Sequence, residues 1–410
     1  MDLAHPLDGL DDRPWSSFSH AYGSAEDVPD LLRALTGADA DEALSELYGS
    51  VLHQGTVYAA SAEAVPFLAG IAAAGHRTAD VLVLLGGMAE SEDEYGVAAG
   101  AVRAAVADQL PLLLPLLASP EPEVRRTAAW AVSHTRAPGI VLPGLRTRWT
   151  EESEAAVRAE VLAGIARLDP PGGAALAASV LEPSSPAQVR MAAVLACLDA
   201  DAPWTEALQT TMLSLLPADA LCSDLDHARG EPLAAVVEAL LGRGQRVARD
   251  AAFGLVDAAL HDRRAEVRAE GLWAADRASM LSRSAPQRLV RSLRAAAMDE
   301  ESVVAMSSLL GRLGPAAAPT AEVLAPLAGR NPDHDDDHAD RALAALVLVG
   351  RHRRHRSWPP ASGGGHGPST RSPGSGARRT SPSLTTPLSS TRSGTASPGP
   401  RTSAATNRGS

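Results

Sequence analysis

Apolar residues recur along this chain with the spacing of helices that are buried on one or more faces. Residues 110–117, LPLLLPLL, carry six leucines, which is the pattern of a helix enclosed by neighbours. The sequence SPEP at 119–122 is turn chemistry and ends that helix. Val124, Ala128 and Val132 then lie four residues apart, on one face of a second helix. The stretch predicts two helices joined by a tight turn, the first kinked at its inner proline.

The same unit returns along the chain. A Val-Arg dipeptide recurs at 124–125, 157–158, 189–190 and 267–268, in each case near the start of a second helix. The steps are 33, 32 and 78 residues, and the last step is two units of 39. Arg229 marks the midpoint of the long step, in a degraded unit. A two-helix pattern with a period of about 30–40 residues indicates a helical solenoid.

These features resemble a HEAT repeat. The resemblance rests on the leucine-rich first helix LPLLLPLLA, the turn SPEP and the opening Val124-Arg125 of the second helix. It implies an all-α fold, a right-handed α-solenoid of HEAT-like antiparallel helix pairs. In addition, residues 46–68 look like the start of uncharacterised, mostly actinobacterial HEAT-repeat proteins of the PBS-lyase HEAT-like type, a family without an established activity.

Four segments follow from the pattern. Residues 1–23 are an irregular lead-in, in which Trp15 and Phe18 are placed to plug the first helix pair, and residues 24–108 hold divergent HEAT-like helix pairs. Residues 109–350 are the HEAT-like repeats. Residues 351–410 are rich in Ser, Pro, Arg and Gly and predict a disordered tail. Two origins stay open for this tail, namely a native basic linker and the product of a reading-frame change.

Composition and charge argue against one class of partner, nucleic acids. Aromatic residues make up only 3% of the chain, and every basic residue other than histidine is arginine. Residues 1–350 carry 27 arginines and 49 acidic residues, a net charge of −22, whereas residues 351–410 carry ten arginines and no acidic residue. An acidic body disfavours nucleic-acid binding, which depends on neutralising phosphates.

The location and the cofactor content are also read from the sequence. The N-terminus MDLAHPLDGLDD has no apolar core, so no signal peptide is expected, and no apolar run is long enough for a membrane span. The expected location is the cytoplasm. The two cysteines, Cys197 and Cys222, have no metal or redox spacing, and no cofactor is expected.

One polar cluster is the candidate for partner binding. His53, Gln54, Thr56 and Tyr58 either line a pocket between the first repeats or bond free backbone groups at helix ends. A second run, Asp333 to His338, offers oxygens and imidazoles to a hard cation, but it also reads as a solvated turn before a helix.

The repeated arginines are interpreted as structural. Arg125, Arg158, Arg190 and Arg268 occupy the same position in each unit, so we expect a ladder with acids of neighbouring units, among them Glu123, Glu154 and Glu266. The tryptophans Trp130, Trp149, Trp204 and Trp273 fall in different units and are expected to pack rather than to form a stacking platform.

No catalytic triad, phosphate loop or zinc spacing is found in the sequence, so we expect no enzymatic activity. The pattern favours a non-catalytic scaffold that binds another protein, a basic one given the acidic body, along a concave face. Two alternatives stay open. One is a HEAT-like enzyme, a bilin lyase or an alkylpurine DNA glycosylase, and the other is an immunity or regulatory partner of a toxin or enzyme.

Overall fold

The computed structural model describes residues 5–222, 224–225, 230–295, 303–320 and 337–350. Within these residues helices alternate with short turns, and the expected fold class, an all-α solenoid of helix pairs, is confirmed. The tail, residues 351–410, lies outside the described residues, so its expected disorder and its origin stay predictions.

The N-terminal part combines helices with two small sheets that the sequence pattern did not predict. Its helices are a 3₁₀ turn Trp15–Ser17, α1 Val28–Ala34, α2 Ala40–Ser50, α3 Ala59–Ala73, α4 Thr78–Glu90 and α5 Ala101–Asp108. Its strands are β1 Ser19–His20, β2 Gly23–Ser24, β3 Leu52–His53, β4 Thr56–Tyr58 and β5 Asp93–Tyr95. Strands β1 and β2 form an antiparallel hairpin. Strand β4 lies between antiparallel β3 and parallel β5.

Helix pairs follow for the rest of the described chain. They are α6 Leu110–Leu113 with a 3₁₀ continuation Leu114–Ala118, α7 Pro122–His134, α8 Pro138–Glu151, α9 Ala155–Leu168, α10 Pro170–Ala178, α11 Ala187–Asp199, α12 Glu206–Ser214, a 3₁₀ turn Asp219–Leu221, α13 Pro232–Gly242, α14 Arg246–Leu260, α15 Ala265–Leu281, α16 Ala285–Ala295, α17 Val303–Leu313, a 3₁₀ turn Gly314–Thr320 and α18 Asp337–Gly350. The change from α to 3₁₀ geometry at Leu114 coincides with Pro115, where the sequence predicts a kink.

Second helices of successive units stack on one another. Helix α4 packs on α7, α7 on α9 and α9 on α11, and a second series runs through α13, α15, α17 and α18. First helices such as α8, α10 and α14 lie against this layer. The predicted faces Val157–Val161–Ile165 and Val189–Ala193–Cys197 are buried between the helices, as the four-residue spacing requires.

Helix α9 divides the core into two clusters. Val161 and Ile165 join the cluster that extends toward the N-terminus, whereas Leu162 and Ala166 join the cluster that extends toward α18. One helix thus presents opposite faces to two cores, which explains why its sequence is apolar on more than one side.

Candidate partner-binding groove

A groove of about 200 Å³ opens between the second helices α9 and α11. Its lining residues on each helix follow the i, i+3, i+4, i+7 spacing, so each helix contributes a single face. The face on α9 comprises Ala156, Ala159, Glu160, Ala163 and Ala166, and the face on α11 comprises Gln188, Met191, Ala192, Leu195, Ala196 and Asp199. Arg126 of α7 and the segment Leu221, Cys222 and Asp224 complete the walls.

Small side chains create the groove. Ala159, Ala163 and Ala192 are half-buried, and each side chain ends at Cβ, so the space between the two helices is not filled by the chain's own atoms. Met191 and Leu195 supply larger apolar surface on the α11 side. The arrangement resembles the helix-lined, apolar grooves in which an amphipathic segment of another protein docks.

Carboxylates dominate the charge of the groove. Among the described residues that line it, three are acidic, namely Glu160, Asp199 and Asp224, and one, Arg126, is basic. That guanidinium donates to Glu123 Oε1 at 2.7 Å and to Asp224 Oδ1 at 2.6 Å, so two carboxylates share it. Glu160 is only 3% exposed. The groove is therefore an apolar floor in an acidic setting.

The repeated arginines fold back onto the turn that precedes their own helix. Arg125 Nη1 donates to the carbonyl oxygens of Ser119 and Pro120, at 2.8 and 3.0 Å. Arg158 Nη1 donates to Glu152 O at 3.0 Å, and Arg268 Nη1 donates to Asp262 O and Arg263 O at 2.9 and 2.8 Å. Each bond spans five or six residues. These arginines thus satisfy carbonyl groups at the end of the first helix of a unit. Arg190 differs, since its Nη2 donates to Ser214 Oγ at 3.2 Å.

The acidic partner of Arg125 is not among those expected. Its Nε and Nη2 donate to the two oxygens of Glu152, at 2.7 and 3.1 Å, in the turn of the following unit. Glu123 instead pairs with Arg126, and Glu154 donates its N–H to Glu152 Oε1 at 2.9 Å. Because the guanidinium reaches across to the next turn, its acid lies 27 residues ahead rather than within the same helix.

One further arginine of this type was missed from the sequence. Arg103 follows Val102 at the start of α5, so the same dipeptide marked it. Its Nε donates to Ala89 O at 2.8 Å and its Nη2 to Ser91 O at 3.1 Å, both at the end of α4. Arg103 precedes Arg125 by 22 residues, which is shorter than the steps of 32 and 33 residues that define the period.

The polar cluster near residue 53 does not converge on one pocket. His53 Nδ1 donates to the carbonyl of Gly49 at 2.9 Å, and Thr56 Oγ1 donates to Asp93 Oδ2 at 2.7 Å across the β4–β5 pair. Tyr58 is 8% exposed, and its ring centroid lies 6.1 Å from that of Tyr95. Gln54 occupies the hairpin tip with φ of 52°. These side chains bond a backbone carbonyl near the end of α2 and connect neighbouring strands of the small sheet.

One stretch of the chain is similar to a known protein family. The family of HEAT-like repeats matches residues 87–134, from the end of α4 through α7.

Residues 87–134 are thus similar to a HEAT-like repeat. No curated protein matches this chain. Among solved structures, one similar chain is the crystal structure of an engineered protein, which is 18% identical and aligns over 79% of this chain and 89% of that chain, with a TM-score of 0.34.

The residues that match this family include Arg103, Arg125 and Trp130. Trp130 is 3% exposed, in keeping with a packing role, and Trp149 of the next unit stacks under Arg158, whose Cζ lies 4.3 Å from the ring centroid. Trp273, by contrast, is 44% exposed. The tryptophans lie in separate units of the fold.

Among the described residues, no group of three or more His, Cys, Asp or Glu side chains is placed to hold a metal ion, and residues 333–336 of the acidic run lie outside the described residues. No single described helix has the length and apolar composition to cross a membrane. One pair bent by 49°, Ala101–Asp108 with Leu110–Ala118, meets that test jointly.

Proposed function

We propose that this protein is a non-catalytic scaffold that binds another protein, and that the groove between α9 and α11 receives a partner segment with apolar and basic side chains. The observation that carries the proposal is the alanine-lined floor beside Glu160, Asp199 and Asp224. Apolar burial supplies affinity in such a groove, and charge complementarity supplies specificity and faster association.

The charge of residues 1–350 supports the same class of partner. A net charge of −22 on this part of the chain attracts basic proteins over distances of about 10 Å at moderate salt. The same charge disfavours the DNA glycosylase alternative, because a DNA-binding surface needs to neutralise phosphates.

The groove can be tested with substitutions that fill it. Ala159→Arg and Ala192→Arg, made together, place two long cationic side chains over the floor where a partner side chain would lie. The matched control is Ala175→Arg on α10, an exposed alanine on a first helix away from the groove. Circular dichroism and the melting temperature establish that all three proteins are folded.

The measurement is quantitative recovery of the partner from the native cell, followed by titration of the purified partner against each variant. The wild type and the α10 variant should bind with equal affinity, and the groove variant should bind at least about tenfold more weakly, since a buried hot spot exceeds about 1.4 kcal/mol. A partner that binds all three proteins equally would place the interaction elsewhere on the chain and overturn the assignment of the groove.

A further inference from the structure

A second cavity lies at the N-terminal end, away from the groove. It encloses about 300 Å³ and is lined by Tyr22, Asp27, Leu31, Glu46, Gly49 and Ser50. Three elements meet there, namely the β1–β2 hairpin, α1 and α2. The hairpin is held to α2 by a bond from Ala21 N–H to the carbonyl of Ser50 at 3.1 Å.

His20 ties two walls of this pocket together. Its Nδ1 accepts the N–H of Tyr22 at 3.0 Å, and its Nε2 lies 2.9 Å from Asp27 Oδ1. A ring nitrogen that accepts an N–H bond carries no proton, so this geometry assigns the proton to Nε2, which donates to the carboxylate. The imidazole is then neutral. Asp27 is oriented by a hydrogen bond, and its negative charge is not cancelled.

The pocket also holds a second carboxylate. Glu46 makes no side-chain hydrogen bond or ion pair with the described part of the chain. Asp27 uses Oδ1 for His20, and its side chain is 57% exposed and makes no capping bond to α1. Two negative charges therefore face the same cavity without a cation from the described residues.

An aromatic side chain forms the remaining wall. Tyr22 is 73% exposed, and its ring packs edge-on against His53, with centroids 5.4 Å apart and planes at 67°. A second imidazole, that of His20, also lies at an edge-on angle of 74°. Two edge contacts restrict the ring while most of its surface stays in solvent. Cations are attracted to such ring faces.

We propose that this pocket binds a guanidinium group, presented by an arginine side chain of a partner protein. A planar guanidinium bonds carboxylates through a fork of N–H donors and stacks on an aromatic face, whereas an ammonium is a strongly hydrated point charge. Leu31 provides apolar surface for the methylene stem. The site lies on different elements from the α9–α11 groove and does not depend on it.

Gly49 offers a steric test that leaves the charges intact. A Cβ at this position meets no atom within 4 Å, so a larger side chain enters the cavity instead of the core. Gly49→Leu should therefore fill the pocket while α2 is retained. Glu46→Gln removes one carboxylate at constant size. The matched control is Glu42→Gln, an exposed carboxylate one turn earlier on α2.

The probes are three blocked tripeptides with arginine, citrulline or lysine at the centre, titrated into the full chain at low salt and followed by calorimetry. We expect the arginine peptide to bind, the citrulline peptide to show no binding, and the lysine peptide to bind at least about fivefold more weakly. Glu46→Gln should weaken arginine binding at least about fivefold and Gly49→Leu should abolish it, with Glu42→Gln unchanged.

Three outcomes would overturn the proposal. They are absence of binding by the arginine peptide, equal binding by the lysine peptide, and arginine binding that persists in both Glu46→Gln and Gly49→Leu. Repeating the titration with the Ala159→Arg, Ala192→Arg protein separates the two sites. That protein should bind the arginine peptide like the wild type, whether or not the groove binds a partner.

Discussion

The Arg125 guanidinium binds both oxygens of Glu152, with N–O distances of 2.7 and 3.1 Å, and joins two successive helix pairs. The side chains are 11% and 1% exposed. Glu152 Oε1 also accepts the N–H groups of Ser153 and Glu154, at 3.0 and 2.9 Å, at the start of α9. The Glu152 carboxylate thus links the turn of one unit to the arginine of the previous unit. The backbone carbonyl of Glu152 accepts a hydrogen bond from Arg158 Nη1.

Removing this carboxylate should destabilise the fold strongly. Glu152→Ala removes the acceptor of Arg125 Nε and Nη2 and of two backbone N–H groups, so we expect a loss of about 3–5 kcal/mol in the free energy of unfolding. Glu151→Ala is the control, because that side chain is 59% exposed and lies 3.6 Å from Arg148. The control should lose no more than about 1 kcal/mol. Urea denaturation measures both, and equal losses would contradict the role of Glu152.

The same carboxylate should govern stability in acid. Burial opposes its ionisation, but bonds from Arg125 and from two backbone N–H groups hold the pKa of Glu152 at about 2. For an acid whose pKa is lowered by folding, the stabilisation is complete above the ordinary pKa of 4.5 and is lost as the pH falls toward 2. Glu152→Gln should flatten the fall in melting temperature over that window, and an unchanged pH profile would count against it.

The buried imidazole of His134 should also make the fold less stable in acid. Burial, followed by the charges of Arg167, Arg136 and Arg103, lowers the pKa of His134 from 6.5 to about 3. Protonation then favours the unfolded chain, so its contribution is present above pH 6.5 and lost as the pH falls toward 3. NMR should show the ring neutral at pH 5. An imidazole that titrates near 6.5 would refute its burial between these charges.

Asp219 should act in the opposite direction. Burial and the neighbouring carboxylates of Glu270 and Glu231 raise the pKa of Asp219 to about 6. An acid with a raised pKa stabilises the fold while it is protonated, so this contribution is lost as the pH rises from about 4 through 6. The melting temperature of Asp219→Asn, relative to that of the wild type, should therefore be higher at pH 7 than at pH 4. If the wild-type and variant melting temperatures change in parallel with pH, the prediction is wrong.

Close packing between the first helix α14 and the second helix α15 should not tolerate larger side chains. A Cβ at Gly271 of α15 would lie 2.9 Å from Ala259 Cβ and 3.1 Å from the backbone nitrogen of Leu260. Gly271→Leu should therefore cost about 1–3 kcal/mol through overpacking. Gly139→Ala in α8, where a Cβ meets nothing within 4 Å, should instead stabilise by up to about 1 kcal/mol. A melting temperature unchanged by Gly271→Leu would mean that this face is open.

Helix pairing could be predicted from the sequence because it is encoded locally. The four-residue spacing of Val124, Ala128 and Val132 and the turn SPEP act within one or two helices, so the pattern itself defines the pair. The same spacing predicted that Gly271 is buried, because Gly271 occupies the position in its repeat that Ala128 occupies in the earlier one. The strands β3 and β5 were not predictable in this way, because each is only two or three residues long. Strand β5 also pairs with β4 across 37 residues of sequence, from Thr56 to Asp93.

The candidate sites depend on distances that no local pattern contains. The sequence determined that an arginine lies near the start of α7, α9, α11 and α15, but only the relative placement of two units decided that Glu152, and not Glu154, binds Arg125. The pocket between Tyr22 and Glu46 likewise needs a hairpin and a helix brought together from separate parts of the chain. Helix formation follows from hydrogen bonds within one segment, whereas a site forms where packed segments leave space and charge between them.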